Sequence, residues 1–326
     1  MTSLRSMIGG AIVGAAALTV AVVPVASAQT YPNKPVRLIV PFPPGGGTDL
    51  MGRVVAQKLT EVFGVSVVVD NRGGAGGTIG AETVVRAAPD GYTLATVSGS
   101  YATNAALYKL PYDPVNDIAP VSLLGESAFL LCVHPSVPVK SVKELIAYDK
   151  ANAGKLNYGS TGTGGITHLS SELFNQMAGT KITHVPYKGT GPALNDLMGG
   201  QIQVMFGAMP AMAPQVKSNR LRGIAVSTMK RNSAMPDVPP ISDTVPGYEA
   251  VLWYAVYGPK ALPKDIVARW NREIDRIVQS AEMKERMAAE GVEPIGGPAD
   301  RFRDALRRDV PKWQKVVRDG NIKVGS

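Results

Sequence analysis

Apolar residues fall along this chain in two alternating rhythms. Short continuous apolar runs at 36–40, 65–69, 93–97, 128–133, 182–185, 203–206, 223–227 and 251–257 have the length and β-branched content of buried strands. Between several of them, at 50–62, 79–87, 142–152, 167–177 and 193–198, apolar positions recur every three or four residues, the period of a helix with one buried face. Strand followed by helix, repeated, predicts an α/β fold with largely parallel strands. Ser141 and Thr167 stand where helix N-caps belong, and Glu144 follows Ser141 at capping-box spacing. Toward the C-terminus the pattern turns helical, at 265–279, 281–290 and 302–318.

The long apolar runs 128–133 and 251–257 bracket a middle section with strands and helices of its own. If both runs cross between halves of the molecule, residues 29–128 and 250–326 form one domain and 129–249 the other. A cleft then lies between them, facing the carboxyl ends of the strands, where ligands settle in open α/β sheets.

Four glycine-rich loops precede helix candidates, three of them directly after strand candidates. In Pro41-Phe42-Pro43-Pro44-Gly45-Gly46-Gly47-Thr48-Asp49 an apolar strand stops abruptly before a helical pattern begins. Such a loop lets backbone N–H groups converge, and the helix start adds unpaired donors and a positive dipole end, so it predicts an anion site. Asp49 is expected to fix the loop by accepting backbone N–H bonds rather than to act as a base. The segments 71–78, 157–165 and 187–193 repeat the logic, the last two inside the middle section. Loops from both halves closing on one anion would work as a clamshell.

Composition narrows the chemistry. Neither a nucleophile elbow, a phosphate-binding P-loop nor a fitting dinucleotide fingerprint is present. His134, His168 and His184 lack metal-ligand spacing, so neither a metal nor a cofactor is expected, and a structural hydrogen bond is the expected role of His168. The formal charge of +8 does not point to nucleic acid, because its densest stretch, 301–309, interleaves acids and carries Phe302, Leu306 and Val310 at helical spacing. Cys132 is alone, which excludes an intramolecular disulfide. At the N-terminus Arg5, an apolar run and Ala26-Ser27-Ala28 form an export signal, predicting a periplasmic protein cleaved after Ala28.

The motifs Pro41 to Asp49, Pro89-Asp90-Gly91-Tyr92-Thr93-Leu94, Leu110-Pro111-Tyr112-Asp113-Pro114 and His184-Val185-Pro186-Tyr187-Lys188-Gly189 together resemble the Bug (TctC-like) solute-binding proteins of tripartite tricarboxylate transporters. The resemblance implies a type II periplasmic-binding-protein fold, two α/β domains joined by two crossover segments with a ligand cleft between them. It implies a non-catalytic monomer that captures a small carboxylate for a two-component membrane permease. Carried over by motif, the ligand-binding positions are Phe42, Pro44, Gly45 and Gly46 on the first loop and Thr161, Gly162, Thr163, Gly164, Thr190, Gly191 and Ala193 opposite. Gly207 follows Val204-Met205-Phe206 where relatives carry Asp, which implies a simple carboxylate or dicarboxylate rather than an amino acid. Two alternatives are compatible with the residues: a carboxylate-sensing subunit for a membrane receptor, and an ester hydrolase using Ser160 or Thr161. The signal reading predicts a mature chain starting at Gln29; mass spectrometry of the exported protein checks it, and an intact membrane-bound N-terminus would overturn it.

Overall fold

The computed structural model describes residues 31–323; the export signal and its cleavage site lie outside them. In chain order the elements are β1 (Val36–Val40), α1 (Gly47–Phe63), β2 (Val67–Asn71), α2 (Thr78–Val85), β3 (Thr93–Ser98), α3 (Ser100–Leu107) and β4 (Ile118–Val133). Then follow α4 (Val142–Ala151), β5 (Asn157–Ser160), α5 (Ile166–Ala178), β6 (Thr183–Pro186), α6 (Thr190–Met198), β7 (Val204–Ala208), α7 (Met209–Lys217) and β8 (Arg222–Val226). The chain ends with β9 (Val251–Pro259), α8 (Lys264–Val278), α9 (Ala281–Ala289), β10 (Val292–Pro294) and α10 (Asp300–Asp319).

The strands join in the order β2-β1-β3-β9-β4-β7-β5-β6, with β8 and β10 also on β4. The 16-residue β4 belongs to both ends of this sheet. Its first part, Ile118 to Ala128, pairs with β9, and Phe129 to Val133 pairs with β7 and β8. Strand direction then determines where the helices start. β1 and β3 run the same way as β4, toward the β7 end, whereas β7, β5 and β6 run back the opposite way. The carboxyl ends of both sets therefore converge on the middle of β4, and the loops leading into α1, α6 and α7 meet there.

One buried serine ties the two passages of chain at that middle. The Ser227 N–H donates to the Phe129 carbonyl at 2.9 Å and Phe129 N–H returns to Ser227 Oγ at 2.8 Å. Ser227 Oγ donates to the Ala250 carbonyl at 2.5 Å, and Ala250 N–H donates to the Ser227 carbonyl at 2.9 Å. The crossing expected of 251–257 is thus made just before β9, which itself stays on the β3 side throughout.

Locally, Ser141 caps α4 through Glu144 N–H, as its spacing predicts. Thr167 does not cap α5, which starts at Ile166 after Gly165; its hydroxyl instead accepts the Thr161 N–H at 3.0 Å and stiffens the loop before the helix. On the face of β9 away from the first glycine loop, Trp253 donates Nε1–H to Asp309 of α10 at 2.8 Å. Asp309, from the charged stretch 301–309, is fully buried and also bonds Arg308 at 2.9 Å and Lys312 at 3.0 Å. Burial alone would raise its pKa, but these partners together hold it below the usual carboxylate range. Asp309→Ala strands the Trp253 donor in the core and should cost roughly 1–3 kcal/mol. Urea unfolding would measure it, with Arg307→Ala, whose partner Asp304 lies 3.8 Å away at the surface, shifting stability by less than about 0.5 kcal/mol.

Candidate ligand-binding cleft

A cavity of about 460 Å³ opens where the strand ends converge, bordered by Gly45 to Leu50 and Arg53 on one side and by Thr190, Ala208, Pro210 and Ala211 on the other. Leu252 and Tyr254 of β9 form its floor, and Glu290 at the end of α9 closes one side. The first loop is fixed from beneath by Asp49, only 3% exposed. Its carboxylate accepts Gly45 N–H, Arg53 Nε–H and Asn71 Nδ2–H, each at 2.9 Å. Burial pushes the Asp49 pKa up, but the bonds from Arg53, Gly45 and Asn71 outweigh it, so the group stays an anion. That arrangement requires Gly45 in the left-handed region, at φ +91°, a conformation costly for any side-chain-bearing residue.

Because Gly45 N–H is committed, the donors left to a ligand are those of Gly46, Gly47 and Thr48 at the start of α1, which meet no acceptor among the described residues. Gly46 itself is extended, at φ −86°, and a Cβ there would meet nothing within 4 Å. Its smallness leaves the approach to these N–H groups open rather than permitting a left-handed turn. Opposite, the N–H groups of Thr190 and Gly191 begin α6 and likewise meet no acceptor among the described residues. Three helix N-termini therefore border the cavity: α1 through Gly46 and Gly47 on one side, and α6 through Thr190 and α7 through Ala208, Pro210 and Ala211 on the other.

The sequence-derived positions divide into three groups. Gly45, Gly46 and Thr190 border the cavity, with Gly191 and Ala193 in the same helix start, the Ala193 methyl being buried beneath it. Phe42 instead packs its ring on Gly77 of the 71–78 loop, where a Cβ would stand 3.1 Å from it, and Pro44 is exposed beside the opening. The 157–165 loop is largely self-satisfied: Thr161 N–H goes to Thr167, Gly162 N–H to Ser160 and Gly164 N–H to His168, while the exposed Thr163 meets no acceptor among the described residues. This loop is joined to the α6 start by Gly189 N–H donating to Thr161 O at 3.2 Å. Gly207 is a correction. A Cβ at Gly207 would stand 2.4 Å from Met212 Cγ, in the core, and successive strand residues face opposite ways, so Ala208 is the β7 residue that reaches the cavity.

Sequence reasoning missed Tyr254, Leu252 and Glu290, which come from elements far along the chain and carry no loop signature. It also missed how the 157–165 loop is held. His168 and His184 stack with ring centroids 3.8 Å apart, with Tyr158 5.0 Å from His184. Ser160 Oγ and His184 Nε2 share a 2.7 Å hydrogen bond, and His168 Nδ1 accepts Gly164 N–H at 2.9 Å. The Ser160 and His184 pair does not make a hydrolytic site, because Ser160 is fully buried and its hydroxyl is spent on the loop. Burial, with His184 adding to it, pushes the His168 pKa down to about 3, and burial pushes that of His184 down to about 4. An unfolded chain takes up these protons near pH 6.5, so the folded state loses stability as pH falls from there through about 4 and on to about 3. Thermal melts across that range should show it, and His184→Gln, which keeps a partner for Ser160 but cannot titrate, should flatten the acid limb.

The model of the tripartite tricarboxylate transporter family receptor matches residues 51–322. Protein BugT of Bordetella pertussis is 36% identical over 318 residues, covering 96% of this chain and 98% of its own. Among solved structures, an R. palustris protein with adipate superposes with a TM-score of 0.80 at 36% identity, covering 90% of this chain and 99% of that one. MatC from Rhodopseudomonas palustris with bound malate gives 0.76 at 30% identity, covering 88% and 100%. The chain belongs to the tripartite tricarboxylate transporter receptor family, and is a non-catalytic solute-binding protein with the α/β, two-domain type II periplasmic-binding-protein fold.

Proposed function

We propose that this protein captures a small organic carboxylate or dicarboxylate in the periplasm and delivers it, as a monomer, to the two-component membrane permease of a tripartite transporter. The observation that carries this reading is the pair of helix starts, α1 and α6, whose unpaired N–H groups border one cavity. Both present the positive end of a helix dipole, and together they suit an anion. Ala208, Pro210, Ala211 and Leu252 supply apolar wall for a short carbon chain. Residues 29–128 with 250–326 and residues 129–249 are the two domains of this reading, divided where β4 changes partners after Ala128.

Hydrogen bonds to a charged group are worth roughly 1.5–3 kcal/mol each, so a few suffice to hold a carboxylate reversibly. A thermal-shift screen of residues 29–326 against small mono- and dicarboxylates tests the reading, since a ligand at ~100 times its dissociation constant stabilises by about 2.7 kcal/mol. Stabilisation by none of them would overturn it. Gly46→Val should leave folding intact, because its backbone is extended and its Cβ enters open space, yet lower carboxylate affinity at least about tenfold by filling the anion path. Calorimetry on the ligand found by the screen checks this, and unchanged affinity would remove the loop from the site.

A further inference from the structure

We infer that Tyr254 and Glu290 form one end of the cleft, where Tyr254 donates to the bound carboxylate and Glu290 selects carboxylates that carry a hydroxyl or ammonium donor close to it. The inference rests on the carboxylate-binding reading and goes beyond it in naming the class. Tyr254 is 5% exposed, borders the cavity, and its hydroxyl has no hydrogen-bond partner among the described residues. An ideal Cβ on Gly47 would lie 2.5 Å from that oxygen, so the absence of a side chain at 47 is what lets the phenol reach the start of α1. Burial, with the Glu290 charge adding to it, pushes the phenol pKa up, which keeps its proton available to donate.

Glu290 is placed against its local interest. It sits at the C-terminal end of α9, where the helix dipole disfavours an acid, and its carboxylate has neither a hydrogen bond nor an ion pair among the described residues. Only Arg53 brings positive charge to the cavity lining, and it is held by Asp49 and Asn71. Gly291 fixes the turn that carries Glu290: it is buried with φ +62°, an ideal Cβ on it would lie 2.5 Å from Met209 of α7, and its carbonyl accepts Ser127 Oγ–H at 2.8 Å. An unpaired carboxylate held beside an anion site repels a second ligand anion and attracts a ligand donor. A locally unfavourable group kept without a partner is the expected mark of a functional position.

The test uses three four-carbon dicarboxylates that differ only at carbon 2: succinate, malate and aspartate. Calorimetry should show the wild type binding malate or aspartate at least about tenfold more tightly than succinate. Glu290→Gln should bring the ratio close to one, chiefly by improving succinate. Tyr254→Phe, which removes only the hydroxyl, should weaken all three about tenfold, with melting temperatures confirming that both variants fold. Equal wild-type affinity for the three, or a ratio untouched by Glu290→Gln, overturns the inference while leaving carboxylate capture standing. Failure of the wild type to bind any mono- or dicarboxylate overturns both.

Discussion

Ser227 is the point at which the chain's two passages between the ends of the sheet are tied. Its hydroxyl both accepts from Phe129 N–H and donates to the Ala250 carbonyl, while its own N–H and carbonyl bond the same two residues. Every polar group there is satisfied without water, which a fully buried junction requires. With β4 and the segment before β9 held together, β4 passes straight through both ends of the sheet. The opposed directions of β1 and β7 then bring their carboxyl ends face to face. The cleft is a consequence of that geometry rather than of any loop.

Glycine-rich loops at those ends are not equivalent, because an N–H can be spent only once. Before α5 the donors of Thr161, Gly162 and Gly164 are consumed by Thr167, Ser160 and His168, and the stacked neutral histidines make that consumption rigid. Before α1 only Gly45 is consumed, by Asp49, and the donors that follow stay open. One loop has spent its donors internally and the other keeps them open, although in sequence they read alike. The Gly189 to Thr161 bond ties the spent loop to the α6 start, which is the open donor set on the opposite side.

Legibility followed burial and periodicity. Apolar runs located β1, β3 and β9 almost to the residue, and the strongly amphipathic α8 and α10 were plain. β5, Asn157–Ser160, is polar in letters and reads as loop, because its strand character comes from pairing with β6 and β7 rather than from side chains. The first part of β4 was missed because Ser122, Glu126 and Ser127 interrupt its apolar run, and α7 because Pro210 and Pro214 lie within it. Within the site, the glycine loops were visible as motifs. Tyr254 and Glu290 were not, since their meeting depends on β9 and the turn after α9 coming to the same cavity. Gly207 was misjudged for a related reason: strand end is visible in sequence, but which face a residue takes depends on where the strand stops.

An anion site built on backbone donors must also manage the acid that organises it. Asp49 lies in the first turn of α1, close to the donors a carboxylate would use, and its bare charge would oppose the ligand. Arg53, one helical turn along, and Asn71 from β2 bond both of its oxygens. The field left in the cleft is then set by helix ends and by the one unpaired charge in the lining, Glu290. Dipolar donors bind more weakly than a free guanidinium, but their reach is short and directional. Under the proposed capture and delivery such short-range donors suit release, because the attraction they offer falls off within a few ångströms. The same short reach leaves a single uncompensated charge such as Glu290 able to decide which carboxylate stays.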